Sequence, residues 1–265
     1  DGSGSAVYAT NSDLRVGSRG ANNLLRVTDG GYARFGSAVL ALADDTSRSN
    51  SLEIADTGSE VLIDGTIRVG WGYDSTTGLG DNNIRVQTGG TLRVNSDVTL
   101  GEETSGNLLE VEGSGAEAYL KDLLAGSEAG GRSNTVRVAD NGYLENQGNL
   151  HVGLVDDYNQ LVVAGGSVSN LGEFAVGYTG SYNTATISGG GDVLTGGETT
   201  SVGHYGSHNE LTVTGNGSVL RVLDAPDSRP LVTTPVEETT VDRGDSVELR
   251  SGGDVPEGAV KDMSF

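Results

Sequence analysis

The sequence predicts an all-β fold, a single right-handed parallel β-helix with three strands per coil, and three observations predict it. The first is a recurring pattern, Asn-x-apolar-x-apolar, which begins at Asn23, Asn50, Asn82, Asn107, Asn134, Asn159, Asn183 and Asn209. The gaps between these asparagines are 27, 32, 25, 27, 25, 24 and 26 residues. A near-constant period of about 26 residues repeated about eight times is the mark of units that stack on one another. The second observation is a pair of apolar columns: Leu25, Leu52, Ile84, Leu109, Val136, Leu161, Ala185, Leu211, and Val27, Ile54, Val86, Val111, Val138, Val163, Ile187, Val213. Both are apolar throughout, as the interior of a buried parallel sheet requires. The third is the position between them, which runs Arg26, Glu53, Arg85, Glu110, Arg137. Stacked strands lie about 4.8 Å apart, so alternating signs attract where like signs would repel.

Within a coil, the first strand follows the asparagine, as in Thr135 to Val138, with period-2 alternation. A turn comes next, rich in Gly, Asp or Asn: Asp29 to Gly31, Thr88 to Gly90, Asp140 to Gly142, Gly215 to Gly217. The second strand follows, as in Thr91 to Val94. The third ends on apolar-x-apolar-Gly, at Gly17, Gly70, Gly101, Gly153 and Gly177, with Ala43 in place of the glycine in one repeat. A short loop returns to the next asparagine. Asn suits a left-handed corner, and its amide can bond to the Asn of the next coil. The glycine column marks a second corner, with positive φ or a close backbone approach.

The repeat stops near Asp224, so residues 1–224 form the β-helix and 225–265 a separate extension. Ala225 to Pro230 reads as a linker. Thr239 to Arg250 reads as a β-hairpin around Arg243-Gly-Asp245, which is turn chemistry before it is an integrin-type tripeptide. This tail caps the solenoid, begins another module, or reaches into a neighbour. The chain opens at Asp1, partway through a repeat and without a methionine or signal peptide, which reads as a processed or excised segment.

Composition narrows the function. The formal charge is -21, which argues against nucleic-acid binding. The longest apolar runs fall far short of the roughly 18 residues of a membrane span, so no membrane insertion is expected. With no cysteine there is no disulfide framework and no thiolate metal site. Glycine is abundant, 43 residues, and lacks a collagen period, so it marks turns.

The stretch from Gly203 to Leu220 carries Gly-Ser, Asn-x-Leu-x-Val and Gly-x-Gly-Ser in order, preceded by Val-Gly. It resembles the repeats of bacterial autotransporter-like passenger domains and other secreted β-helix proteins, over about residues 5–224. The resemblance implies a secreted or surface-attached bacterial protein of the adhesin, stalk or filament kind.

The same architecture also serves polysaccharide-degrading enzymes of the pectate-lyase type. Those cluster carboxylates on outward positions of adjacent coils for calcium or for acid–base work. Here no column assembles two or three carboxylates in successive coils, and no catalytic residue and no cofactor is assigned. The acid pairs Asp44-Asp45, Glu102-Glu103 and Asp156-Asp157 lie in turns, solvated or holding calcium, and Gly189 to Asp192 only superficially matches a calcium nonapeptide. His204 and His208 stand four apart in a loop, so their spacing defines no zinc face.

The most informative exposed set is aromatic. The residue after the third-strand glycine runs Leu154, Tyr178, His204, and the residue before the asparagine runs Tyr158, Tyr182, His208. Trp71 and Tyr73 occupy the longest such loop. These rings either stack along one edge or form a strip that binds sugar or a partner. The expected function is a rigid, non-enzymatic extracellular rod, building a filament, sheath or adhesive stalk by head-to-tail association. A polysaccharide-binding or polysaccharide-degrading β-helix is the alternative, with a surface glycan as the possible partner.

Overall fold

A computed structural model describes residues 2–42, 47–71, 80–197, 199–223 and 247–250. The described residues contain strands and turns and no helix. Three sheets run the length of the molecule, of nine, eight and nine strands; successive strands of each sheet come from successive coils, except that the ninth strand of the last sheet is the tail strand Val247–Arg250. The asparagine sheet holds the strands that follow each asparagine, from Leu24–Val27 to Glu210–Val213. The second sheet runs from Ala6–Ala9 to Val219–Val222, and the third from Leu14–Val16 to Thr200–Val202. The result is a parallel β-solenoid of about eight turns.

Register follows the sequence columns. Leu109 pairs with Ile84 on one side and Val136 on the other, and Glu110 lies between Arg85 and Arg137. Arg26, Glu53 and Arg85 are likewise consecutive partners. The inward residues from Leu52 to Leu161 and from Ile54 to Ile187 are essentially inaccessible. Each such Leu, Ile or Val contributes roughly 1.5–3 kcal/mol by leaving water. The core therefore extends as a thin apolar column along the axis, closed on all three sides by sheets.

A column of asparagines and a column of glycines hold the corner between the third sheet and the asparagine sheet. From Asn50 to Asn209 the asparagines are buried to within 1%. Each Oδ1 accepts two bonds from the preceding coil, one from the asparagine's backbone N–H and one from its Nδ2. Asn107 reaches Asn134 at 3.0 and 2.8 Å, and Asn134 reaches Asn159 at 3.0 and 3.0 Å. The same double bond recurs at every step from Asn23 to Asn209. The glycine column, at φ between 64° and 80° for Gly17, Gly70, Gly101, Gly126, Gly153, Gly177 and Gly203, lies beside this ladder. A Cβ on Gly101 would strike the Asn134 side chain, and one on Gly153 would strike Asn183.

The expected left-handed asparagine is corrected here. The asparagines of the ladder do not have positive φ; the residue before each of them does. Asn22, Ser49, Asp81, Gly106, Ser133, Tyr158, Tyr182 and His208 have φ between 48° and 75°. Turning the chain one residue early leaves the asparagine outside the left-handed region, with its side chain buried and bonded to the next amide.

Of the tail, only Val247–Arg250 is described. It pairs antiparallel with Glu210–Val213 of the last coil, Val247 opposite Val213 and Arg250 opposite Glu210. The tail strand thus covers the end of its own asparagine sheet, in an arrangement where every other described pairing between strands is parallel. The Arg243-Gly-Asp245 turn and the linker from Ala225 lie outside the described residues, as do Ala43, Asp44, Asp45 and Tyr73.

Candidate functional site

The aromatic residues meet at the corner loops of the last three coils. Tyr158 stacks on Tyr182 with centroids 5.3 Å apart and planes at 9°. Tyr182 stacks on His208 at 4.8 Å and 11°. Beside them Tyr178 stacks on His204 at 4.8 Å and 6°. These separations match the rise between stacked strands, about 4.8 Å, so the solenoid sets the stacking distance. Leu154 occupies the matching position one coil earlier, and the ring that continues the second column is instead His151, 4.9 Å from Tyr178.

His151 comes from the outer face of the strand Leu150–Val152, where sequence alternation would leave it in water. It is only 6% exposed. Its Nε2 lies 3.2 Å from Glu173 Oε2, while Nδ1 is buried among atoms that offer it no hydrogen bond. Burial lowers its pKa below the usual 6.5, and Glu173 opposes that shift. Further along the same outward column, Ser201 also buries its hydroxyl without a described partner.

Tyr205 differs from the stacked rings. It stands nearly perpendicular to Tyr178 (82°) and to His204 (78°), and is 73% exposed. Within the columns each inner ring has both faces covered by neighbours, which leaves edges and tips to solvent. Tyr205 presents the most open ring of the corner.

Of the acids that the sequence offers as calcium ligands, the described Asp156, Asp157, Asp192 and Glu102 have partners of their own. Asp156 accepts from the Gly130 N–H and from Arg132 Nε at 3.1 Å, bracing the loop of the previous coil. Asp157 accepts from the Ser181 N–H at 2.7 Å, bracing the next. Asp192, after the three glycines, forms an ion pair with Arg221. Glu102 lies 3.7 Å from Arg68, and burial raises its pKa more than that arginine lowers it. Among the described residues no three His, Asp or Glu side chains converge as a metal set.

The charged column carries ion pairs at Arg26–Glu53 (2.7 Å), Arg85–Glu110 (3.5 Å) and Glu110–Arg137 (3.1 Å). Arg137 also reaches Glu112 at 3.1 Å. In the next three coils the outward position becomes Val162, Thr186 and Thr212. A further feature lies on the second sheet, a shallow depression lined by Arg93, Tyr119, Lys121, Glu145 and Gln147. There the Arg93 guanidinium sits 4.1 Å above the Tyr119 ring. Near Trp71, Arg68 lies over the indole at 4.8 Å.

Sequence reasoning also missed a second buried amide pair. Asn146 donates to Asn170 Oδ1 at 2.8 Å, in a column that earlier coils fill with Phe35, Ile63 and Leu120. No protein-family model, curated protein or solved structure matches the chain.

Proposed function

We propose that this protein is a structural rod, a stiff β-solenoid that builds an extracellular filament, sheath or adhesive stalk, and that it is not an enzyme. The observation that carries the proposal is the asparagine ladder, unbroken through seven steps from Asn23 to Asn209. A continuous double-bonded column beside three continuous sheets couples every coil to the next, and bending the rod would break bonds in all of them. At about 4.8 Å per coil the solenoid is about 40 Å long. Among the described loop acids, Asp156, Asp157 and Asp192 hold backbone or arginine partners, which favours a mechanical role over a hydrolytic one.

Growth beyond one solenoid length is proposed to be head to tail. The ladder has polarity, because each Oδ1 accepts from the coil before it. Asn23 therefore offers its Oδ1 toward any coil stacked on that end. An extracellular or cell-surface setting rests on the resemblance of the Gly203–Leu220 repeat to secreted β-helix proteins.

Negative-stain microscopy and sedimentation velocity across a concentration series test this. Particles of constant width, with lengths in multiples of the solenoid, are expected. A monodisperse monomer at every concentration would overturn the assembly, and a compact scattering profile would overturn the rod.

A further inference from the structure

The last three coils differ from the first five in surface chemistry. Between Tyr158 and Gly191 the sequence has one charged residue, Glu173, whose carboxylate lies 3.2 Å from the His151 ring. A chain of formal charge -21 therefore carries a stretch of low charge on these coils, bordered by Asp156, Asp157, Asp192 and Glu210. The patch continues from the corner onto the outer face of the asparagine sheet. There Val162 and Thr186 stand where the earlier coils alternate arginine and glutamate.

The backbone marks the same place. At the left-handed corner position the first five coils use Asn22, Ser49, Asp81, Gly106 and Ser133, small or turn-forming residues. The last three use Tyr158, Tyr182 and His208, at φ 61°, 58° and 56°. Bulky side chains are uncommon in that region, and strained backbone clusters at binding sites. The two tyrosines remain 48% and 46% exposed. Beside these columns stands Tyr205, set across the stack.

We propose that this corner, from Tyr158 to His208 with Tyr205 as its open ring, binds a neutral carbohydrate chain. A polyanion would meet the repulsion of the whole molecule. A cationic partner would find its complement on the acidic coils, not here. A purely apolar partner surface would need continuous apolar cover, and these rings are separated by Thr179, Gly180, Ser181, Gly206 and Ser207. A neutral sugar chain presents C–H faces alternating with hydroxyls, which match tyrosine rings flanked by hydroxyl and amide groups.

The test uses the intact chain on an array of neutral and acidic oligosaccharides, followed by affinity electrophoresis with the retained neutral polysaccharide. Retention on neutral glycans is expected. Tyr205→Ala should weaken it by about tenfold or more with Tm unchanged. Tyr182→Asn, which suits the left-handed backbone, should weaken it while leaving Tm little changed. Tyr8→Ala, an exposed tyrosine of the first coil, should bind as the parent does. Retention of no neutral glycan, or of acidic glycans only, overturns the proposal. Equal affinity in Tyr205→Ala overturns its location, and an equal loss in Tyr8→Ala marks the binding as non-specific. None of these outcomes depends on filament formation.

Discussion

Asn134 donates to one atom of Asn159 twice: its backbone N–H and its Nδ2 both reach Oδ1 at 3.0 Å. The same Asn134 accepts two bonds from Asn107 on its own Oδ1. A single fully buried side chain thus satisfies polar groups on both neighbouring coils.

Replacing it should therefore cost more than one hydrogen bond. Asn134→Ala strands the Asn107 backbone N–H and weakens the position of two amides. At about 1–3 kcal/mol for each buried unsatisfied group, a loss of about 2–5 kcal/mol is expected in urea unfolding. Asn134→Asp should be worse at neutral pH, because a buried carboxylate faces the Asn159 Oδ1 with no proton to donate. Burial raises the folded-state pKa of that acid, so stability should return as pH falls and the carboxyl protonates. If the Asn134→Asp variant were as stable as the parent at neutral pH, the donor role of Nδ2 would be refuted.

The left-handed corner makes a separate prediction at the neighbouring residue. Ser133 has φ 54°, a conformation that glycine adopts freely and a β-branched residue strongly resists. Ser133→Gly should be nearly neutral, while Ser133→Val should lose about 1–3 kcal/mol. Equal stability of the two variants would mean that the corner does not require the left-handed conformation.

These two positions show what sequence could and could not reveal. The asparagine column was legible because one side chain does the same job in every coil, and the apolar columns were legible for the same reason. The left-handed position was not, because the corner fixes φ and tolerates different side chains: Asp81, Gly106 and Tyr182 share a backbone and nothing else. The aromatic columns could be traced from spacing alone, since position in the repeat fixes position in space. His151 could not join them on paper. Its burial comes from Tyr178, contributed by the next coil's loop, which lies over a strand face that alternation assigns to solvent. The tail likewise lacks the repeat that would have fixed its partner, and its strand pairs with its own last coil.

The charged column can be tested by reversal. Glu110 lies between Arg85 and Arg137, 3.5 and 3.1 Å away. Glu110→Arg would place three arginines in successive strands, with an expected loss on the order of 1–2 kcal/mol at low salt, since exposed pairs are worth about 0.2–1 kcal/mol each. Adding Arg85→Glu should recover part of that loss. Strict additivity of the two changes, measured by a double-mutant cycle, would rule out a shared ladder.

His151 predicts a pH dependence. Its folded-state pKa lies below the usual 6.5, chiefly through burial, so the folded protein binds that proton less readily than the unfolded chain does. Its contribution to stability is complete above about 6.5 and is lost as pH falls through the folded-state value. Melting curves between pH 7.5 and 4.5 should show this loss, and His151→Phe, which keeps the stack on Tyr178 without a titrating ring, should flatten it. An identical pH profile in the two proteins would show that His151 is not the group responsible.

The tail supplies the last prediction. Val247–Arg250 occupies the edge of Glu210–Val213 in antiparallel register, so end-on stacking through the asparagine sheet requires that strand to leave. If the tail serves as a cover, deleting residues 224–265 bares the backbone edge of the last coil. Particles should then lengthen, and amide exchange along Glu210 to Val213 should quicken in whatever monomer remains. If instead the tail crosses to the first coil of a neighbour, the same deletion should shorten the particles to single solenoids. Pairing of Val247–Arg250 with its own last coil favours the cover, because joining strands of one chain costs less entropy than ordering a second molecule. Particle length after deletion separates the two, and unchanged polymers would show that the tail has no part in assembly.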